Sequence, residues 1–322
     1  MRIRRLVSLS ITLASTVSLL AGCAFFTQQA YYPGDKASVI NPTKPYVGMY
    51  GLKEVHSIPA FEQKTGVNVT SLLVFRSFGN NPTFKTGEFD MLKKQGVVPM
   101  ISLEPWDPNK PSTWADYSLA NIAAGKYDTI LTSWAQGVAK YKTQVMIRFA
   151  HEMNGPWYPW GIGVSGNTPE QYIAAWRHVV DVFNANGATN ATWVWSPNIV
   201  RSTATYKVSQ FYPGDAYVDI MGLVGYSTVA TDTYSSVFGR TLSQLEALSK
   251  KPIIFTETGV DQNLPTATSW IKSFFANITK DKRIIGFEWF DAHKRRNWTI
   301  AKGAPAQAFA DGVSKFISRS QK

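Results

Sequence analysis

Eight short apolar runs recur along this chain, separated by stretches long enough to form helices. The runs cover residues 46–51, 71–78, 97–103, 144–150, 192–196, 218–224, 252–256 and 284–289. Each run is nearly continuous in apolar residues, which is typical of strands buried on both faces of a parallel sheet. Eight such strands alternating with helices predict an α/β fold, a single (β/α)₈ TIM barrel. The alternative, an open doubly wound sheet, is disfavoured because no glycine-rich phosphate loop follows the first run.

Amphipathic segments between the runs supply the helices of this fold. Their apolar residues recur at helical spacing over 127–140, 169–186, 242–249, 266–278 and 306–317. The second of these segments carries a start signal, with Thr168 as the N-cap and Pro169 as the first helical residue. The helices therefore begin and end where a barrel needs them.

The first 22 residues predict a bacterial lipoprotein signal peptide. Three arginines among the first five residues precede an apolar stretch, 6–20, that is short for a membrane span. The stretch ends in Leu20-Ala21-Gly22-Cys23, which resembles the signal after which the cysteine is lipidated, and Cys23 is the only cysteine in the chain. The alternative is a plain secretory signal followed by an incidental cysteine.

The chain is accordingly divided into three parts: a signal peptide (1–22), a lipidated Cys23 with a flexible tether (23–45), and a catalytic barrel (46–322). The tether prediction is based on the polar, turn-rich composition of 24–45. We expect an exported monomer that is anchored to the membrane through the lipid on Cys23. Ala24, in place of the aspartate that resembles an inner-membrane retention signal, favours the outer membrane or cell surface.

Composition narrows the function further. The formal net charge of +11 could favour anionic polymers or membranes, but the basic residues are dispersed along the sequence, with one small cluster at 294–296. No helix-turn-helix, zinc-finger or RNA-platform pattern is present, so nucleic acid is not an expected partner. The 11 Trp and 14 Tyr residues indicate an aromatic-lined site.

The most informative motif follows the fourth apolar run, which ends on His151 and Glu152. Aromatic and amide side chains come directly after it, namely Asn154, Trp157, Tyr158 and Trp160. Aromatic rings stack on pyranose faces, and amides bond sugar hydroxyls. Crowding by the rings also raises the pKa of a carboxyl group, which a proton donor to a glycosidic oxygen requires. The motif therefore predicts a sugar site.

Carboxylates and aromatics recur at the ends of the other predicted strands, where a barrel of this type places its chemistry. These ends carry Glu104-Pro105-Trp106-Asp107, Trp195 to Asn198, Gly225-Tyr226-Ser227, Thr256-Glu257-Thr258-Gly259 and Glu288-Trp289-Phe290-Asp291. Strands four and seven face each other across a barrel, so Glu152 and Glu257 can reach the same bond. Retaining glycosidases need such a pair about 5–5.5 Å apart. Considered alone, either glutamate would be interpreted as one partner of a structural ion pair.

At these residues the sequence resembles glycoside hydrolase family 26, whose members are β-mannanases, mixed-linkage β-glucanases and some xylanases on a (β/α)₈ barrel. The resemblance rests on 148–160, on 211–219 leading to Tyr226, on 251–259, and on Trp289 with Lys294 and Trp298 downstream. It extends over essentially all of 46–318.

The resemblance implies a role for each matching residue. Glu152 would be the acid/base and Glu257 the nucleophile. His151 and Tyr226 would bond and orient the nucleophile, and Arg148 would keep it ionised. The resemblance also implies that Trp157 and Trp289 are sugar platforms beside the scissile bond; packing at the barrel rim is the alternative for both. Further expected substrate-binding or orienting residues are Glu104, Trp106, Asn154, Trp160 and Lys294.

Two departures from the family bear on the substrate. Mannan-active members typically carry a histidine after strand three, where this chain has Glu104-Pro105-Trp106, which resembles glucan-active members. Glu104 could bond substrate hydroxyls or serve in an ion pair. The sixth strand also lacks the aspartate often found before Tyr226. Mixed-linkage β-glucan and β-mannan both stay open as substrates.

No metal or cofactor is expected, because no His/Cys/Asp cluster has ligand spacing and no second histidine completes a zinc-protease motif. The sequence therefore predicts a retaining endo-acting glycosidase that cleaves β-1,4 linkages in a polysaccharide. The alternatives are a surface lipoprotein that binds polysaccharide without cleaving it, and a structural envelope lipoprotein.

Overall fold

The computed structural model describes residues 32–204 and 206–319, and these form a closed barrel of eight parallel strands. The strands are β1 (Tyr46–Tyr50), β2 (Ser71–Ser77), β3 (Val98–Glu104), β4 (Val145–Phe149), β5 (Ala191–Trp195), β6 (Ile220–Ser227), β7 (Ile253–Val260) and β8 (Ile284–Phe290). Each strand pairs with the next, and β8 pairs with β1. The predicted single (β/α)₈ barrel is confirmed, and every strand lies within a few residues of its predicted position.

Helices cover the outside of the barrel. They are α1 (Lys36–Ile40), α2 (Ile58–Thr65), α3 (Thr86–Gln95), α4 (Leu119–Ala123), α5 (Asp128–Tyr141), α6 (Pro169–Ala185), α7 (Arg240–Leu248), α8 (Ala267–Ile278) and α9 (Ala304–Ser318). Short 3₁₀ turns lie at Glu54–Ser57, Pro111–Tyr117, Val164–Gly166 and Val208–Phe211, and a π-helical turn at Ser235–Gly239 precedes α7. Thr168 caps α6 in a capping box with Gln171, as the sequence indicated.

Two apolar cores lie on either side of the strands. The larger core fills the space between the barrel and its helices, where Trp134, Trp176 and Phe274 are buried. The smaller core closes the inside of the barrel at the end where the strands begin, with Val98, Met100, Met146, Ile220 and Ile254 among its members. The opposite end of the barrel interior is therefore left for polar side chains.

The segment 32–45 packs against the barrel base, the end at which the strands begin. Val39 of α1 is fully buried in the smaller core, and the Tyr32 hydroxyl donates a 2.5 Å hydrogen bond to the Gln144 carbonyl. The prediction of a flexible tether over 23–45 is thus wrong for 32–45. This segment is ordered because it removes the apolar side chains at the barrel base from water. Residues 1–31, with the predicted signal peptide and Cys23, lie outside the described residues.

Candidate active site

Glu257 enters the barrel interior because β7 contains a bulge. Leu223 of β6 pairs with Phe255, but the next residue of β6, Val224, pairs with Glu257, so Thr256 is an extra residue. Phe255 faces outward onto the α8 residue Phe274, whereas the Thr256 hydroxyl lies inside, 2.6 Å from that of Ser196. Strict alternation would then direct Glu257 outward. The bulge re-aims it toward the interior.

Two partners hold the Glu257 carboxylate. Arg148 Nη1 lies 2.7 Å from Oε1 as an ion pair, and the Tyr226 hydroxyl donates a 2.8 Å hydrogen bond to Oε2. Arg148 is itself fixed, since it donates to the hydroxyls of Ser102 (2.7 Å) and Ser196 (3.0 Å). Arg148 and Tyr226 therefore lie beside Glu257, as the resemblance implied.

Glu152 follows β4 and is held by two donors. Trp157 Nε1 lies 2.5 Å from Oε2, and Asn198 Nδ2 donates to Oε1 over 2.9 Å. Burial, and secondly the negative charge of Glu257, raise the pKa of Glu152 to about 7. At neutral pH this carboxyl group exists in both protonation states, which is what acid/base work requires.

The backbone at Glu152 is strained. Its φ of 54° lies in the left-handed region, as does the φ of 41° at Ala150, although neither residue is glycine. The Glu152 amide donates a 2.8 Å hydrogen bond to the Ser196 carbonyl, which helps hold this conformation. Such conformations cost roughly 1–3 kcal/mol each and concentrate at functional sites. Gly155 is needed nearby, because a Cβ there would overlap the Trp157 ring.

Asn198 is the functional residue that was not among the predicted site residues. The sequence could have indicated Asn198, because it follows β5 and the other strand ends carry polar site residues. Asn154 fixes its backbone from both sides, since the Asn154 amide donates to the Asn198 carbonyl and accepts from the Asn198 amide, each over 2.8 Å. Asn154 is buried and thus acts on the site through Asn198.

A second polar group lies at the barrel mouth, the end of the barrel at which the strands end. It consists of His151, Glu104 and Trp106. Trp106 Nε1 donates a 3.0 Å hydrogen bond to Glu104, and His151 Nε2 lies 4.0 Å from the same carboxyl group. Burial raises the pKa of Glu104 to about 7 and lowers that of His151 well below its usual value, so the imidazole is neutral. Within the described chain neither ring nitrogen of His151 has a hydrogen-bond partner. The expected bond from His151 to Glu257 is therefore wrong.

The predicted aromatic platforms divide into exposed and buried rings. Trp157 is 48% exposed at the rim, where a sugar can reach it. Trp289 is fully buried, so its predicted role as a sugar platform is wrong; Trp160 is also fully buried and can orient the site but not stack on a sugar. Trp289 faces outward onto Phe309, with ring centroids 5.3 Å apart, because its neighbour Glu288 faces the barrel interior.

Trp160 supports the site from beneath. Its ring stacks on Tyr158 at 4.5 Å, and its Nε1 donates a 2.6 Å hydrogen bond to the His151 carbonyl. The aromatic wall nearest Glu257 consists instead of Phe290 and Trp298, which contact Tyr226. Lys294 is exposed above Phe290, with Nζ 6.0 Å from the ring centroid, and its charge lowers the pKa of Glu104 in part.

A pocket of about 670 Å³ adjoins Tyr226 on the β5 and β6 side. It is lined by Ile199, Val200, Arg201, Ser202, Thr203, Tyr226, Thr228, Asp232, Ser235, Ser236, Val237 and Arg240. Ile199 directly follows Asn198, a partner of Glu152, and Tyr226 is a partner of Glu257, so the pocket adjoins the site near both carboxyl groups. Among residues 32–204 and 206–319, no three His, Cys, Asp or Glu side chains are grouped to hold a metal ion.

Glu257 on β7 and Glu152 after β4 bring two carboxyl groups to the end of the barrel at which the strands end. Barrel glycoside hydrolases have this arrangement. The sequence profile of glycosyl hydrolase family 26 matches residues 104–290, and the chain belongs to that family. The predicted resemblance is confirmed.

Among its relatives is Endoglucanase H of Acetivibrio thermocellus, 32% identical over 262 residues, which are 78% of this chain and 28% of that protein. Mannan endo-1,4-beta-mannosidase of Bacillus subtilis strain 168 is 31% identical over 238 residues, 66% of this chain and 60% of the enzyme. The chain thus spans only part of each relative.

A modular endo-beta-1,4-mannanase structure from Cellulomonas fimi superposes with a TM-score of 0.69 at 17% identity, over 91% of this chain and 79% of that one. At this identity the likeness shows the fold.

Proposed function

We propose that this protein is a retaining, endo-acting glycosidase that cleaves β-1,4 linkages in a polysaccharide. The observation that carries the proposal is the pairing of two unlike carboxyl groups. Glu257 is held by a cation and a hydroxyl, whereas burial and the charge of Glu257 raise the pKa of Glu152 to about 7. Environments that separate a carboxylate from a carboxylic acid assign the nucleophile and the proton donor.

In the first step Glu257 attacks the anomeric carbon while Glu152 protonates the leaving oxygen. The bond from the anomeric carbon to that oxygen breaks, and an ester to Glu257 forms. The charge of Glu257 is then gone, which removes one of the causes that raise the pKa of Glu152. Glu152 becomes the stronger acid and is left ionised, as its second role requires.

In the second step ionised Glu152 takes a proton from water, and the oxygen of that water displaces Glu257 from the anomeric carbon. Two displacements on one carbon retain its configuration. The Tyr226 hydroxyl and Arg148 re-form their contacts to the released carboxylate. Water is the one co-reactant besides the substrate, and the proton it gives to Glu152 restores the starting state of both carboxyl groups.

The donor's surroundings indicate where the leaving sugar lies. A proton donor must lie next to the leaving oxygen, so the sugar that departs occupies the Glu152 side of the site. The exposed ring of Trp157, which bonds Glu152, offers a stacking surface there, and the pocket beside Tyr226 offers further space next to the carboxyl pair. Room for sugars beyond the cleaved bond supports cleavage inside a polymer.

We propose mixed-linkage β-glucan as the first substrate and β-mannan as the second. The Glu104-Pro105-Trp106 sequence supports glucan, because a glutamate occupies the position of the histidine in mannan-active members. The relative named mannan endo-1,4-beta-mannosidase supports a β-1,4 linkage, and the relative named endoglucanase supports a glucan substrate. Glu104 is placed at the barrel mouth, buried beside His151, where it can bond a sugar hydroxyl.

The decisive experiment assays the purified protein on barley β-glucan, β-mannan and xylan, beside Glu257→Ala. Glu246→Ala is the matched control, because Glu246 is exposed on α7. We expect hydrolysis by the wild type and the control, and a loss of roughly 10³-fold or more in Glu257→Ala. NMR of the first product anomer should show retention. A folded wild type that binds these polymers without cleaving them would establish the alternative, a binding lipoprotein.

We further propose an exported monomer anchored in the outer membrane or at the cell surface by a lipid on Cys23. The Leu20-Ala21-Gly22-Cys23 sequence supports the anchor. Metabolic labelling with an alkyne fatty acid should mark the wild type and leave Cys23→Ala unlabelled. Among the described residues no helix is long and apolar enough to cross a membrane.

A further inference from the structure

The fold collects lysines that are scattered in the sequence onto one end of the barrel. We call them the basal lysines: they are exposed side chains on the last turns of helices, or in the segments leading into strands, at the barrel base. They comprise Lys44, Lys93, Lys94, Lys140, Lys142, Lys250, Lys280, Lys282 and Lys315. All helices that follow a strand end at this base, and cations in a last turn complement the helix dipole. The sequence-based description of dispersed charge is therefore wrong in three dimensions.

Three acidic residues of the base are held by local contacts, whereas Glu246, on the last turn of α7, is exposed. Asp219 forms an ion pair with Lys36 at 3.1 Å and accepts the Trp193 amide, and Asp281 accepts the amide of Arg283. Asp215 accepts hydroxyls from Tyr212 and Ser249. Apart from Lys282, the basal lysines form no ion pair with any described residue. The charge of the eight basal lysines other than Lys282 is thus directed to solvent.

The catalytic mouth, at the opposite end, has a different balance. Some of its cations form ion pairs, as Arg76 does with Glu54 and Arg296 with Asp261, whereas others, such as Lys53 and Arg295, are exposed. The mouth also contains the carboxyl groups of Glu104, Glu152 and Glu257. The mouth therefore combines its cations with a group of carboxyl groups, whereas the exposed charges of the base are mainly lysines.

The N-terminal part of the chain joins the domain at this same base. Tyr32 is bonded to Gln144 just before β4, and α1 covers the barrel bottom. Cys23 precedes Tyr32 by nine residues, which span at most about 30 Å of extended chain. A lipid on Cys23 would hold the base, rather than the mouth, next to a bilayer.

We propose that the base is a docking surface for an anionic lipid bilayer and that the catalytic mouth faces away from the membrane. The basal lysines are spread around the barrel on α3, α5 and α9 and in the segments that lead into β1, β4, β7 and β8, so many can approach one flat surface together. Lysines close to an anionic bilayer bind it within about a Debye length, near 10 Å. This docking leaves the active site open to a polymer in solution.

The first test uses the chain with Cys23→Ser, so that binding reports charge without a lipid. Sedimentation compares vesicles of phosphatidylcholine with vesicles that contain half phosphatidylglycerol. A base variant carries Lys94→Glu, Lys140→Glu and Lys280→Glu. A matched mouth variant carries Lys53→Glu, Arg295→Glu and Lys302→Glu, which are also exposed.

We expect the protein to bind the anionic vesicles and not the phosphatidylcholine vesicles. Its affinity for the anionic vesicles should fall on the order of 100-fold in the base variant and by less than about threefold in the mouth variant. Hydrolysis of soluble polysaccharide should be the same in the base variant and its parent. Equal weakening in both variants, or binding that ignores lipid charge, would overturn the proposal. The proposal would also be overturned if the protein bound polygalacturonate, a soluble anionic polymer, through the basal lysines and did not bind vesicles.

A second test reads the orientation. Because Cys23 is the only cysteine, the Cys23→Ser background accepts single labels. Gln95→Cys places an environment-sensitive dye at the base, and Ala301→Cys places it at the mouth, both on exposed positions. Anionic vesicles should blue-shift the base label and leave the mouth label unchanged. A shift at the mouth label instead would reverse the proposed orientation and overturn it.

Discussion

Arg148 and Glu257 form an ion pair, with Nη1 2.7 Å from Oε1, inside the barrel and almost out of contact with solvent. The two residues lie on strands four and seven, on opposite sides of the barrel. The pair therefore bridges the interior directly below the site. Two serine hydroxyls fix the guanidinium, so the charge opposite Glu257 is held in place before substrate arrives.

Replacing Arg148 should destabilise the whole barrel. Arg148→Met leaves Glu257 buried without its counter-charge, which costs about 3–5 kcal/mol in the free energy of unfolding. Arg296→Met is the control, because Arg296 is 43% exposed in its ion pair with Asp261 and such pairs contribute about 1 kcal/mol or less. Urea denaturation at pH 7 measures both. Similar losses in the two variants would contradict a structural role for the buried pair.

Removing the Tyr226 hydroxyl should slow catalysis without unfolding the protein. A hydrogen bond to a charged group contributes about 1.5–3 kcal/mol, so Tyr226→Phe should lower kcat/KM on the order of 10- to 100-fold. Tyr127→Phe removes a hydroxyl that bonds the Asp116 carbonyl far from the carboxyl pair, and it should retain wild-type activity. Steady-state kinetics on a defined oligosaccharide tests this. Unchanged kcat/KM in Tyr226→Phe would exclude a contribution of this bond.

The pH dependence should reflect the protonation of Glu152. The donor must be protonated in the first step, so kcat/KM should fall as pH rises through about 7. The hydrogen bond from Trp157 lowers the pKa of Glu152 in part, because it favours the ionised form. Trp157→Phe should therefore shift the alkaline limb to higher pH. A limb that moves to lower pH, or one that stays in place, would contradict the assignment of Glu152.

The buried carboxyl group of Glu104 should lower the free energy of unfolding at neutral and alkaline pH. Burial raises its pKa in the folded protein to about 7, whereas an unfolded glutamate titrates near 4.5. The unfolded chain thus releases this proton first, and stability falls as pH rises from about 4.5 to 7. Glu104→Gln should increase the free energy of unfolding at pH 8 by up to about 3 kcal/mol and change it little at pH 4.

Thermal or urea unfolding at the two pH values measures this difference, with Glu246→Gln as an exposed control that should show none. A stabilising effect of equal size at both pH values would point to packing rather than ionisation. If Glu104 also bonds a sugar hydroxyl, the same variant should bind β-glucan oligosaccharides more weakly. The gain in stability and the loss in binding would then share one cause, a carboxyl group buried for function.

Two expected neighbours of Glu257 lie where local signals are sufficient to place them. Arg148 and Tyr226 follow from strand positions and a family motif, and both contact Glu257. The errors fall on residues whose surroundings are set by other strands. His151 was expected at the nucleophile but lies nearest Glu104, and Trp289 was expected at the sugar but faces α9 residue Phe309. Nothing adjacent to them in sequence indicates this.

The sequence by itself determined the eight strands, their helices and the strand ends that carry carboxyl groups, because periodicity and capping are properties of neighbouring residues. Only the tertiary structure decided which way those side chains face. The extra residue in β7 directs Glu257 inward, and the covered barrel bottom turns a supposed tether into part of the domain. It also brought the basal lysines together from distant segments. Each of these depends on contacts between residues far apart in the chain, which no local pattern encodes.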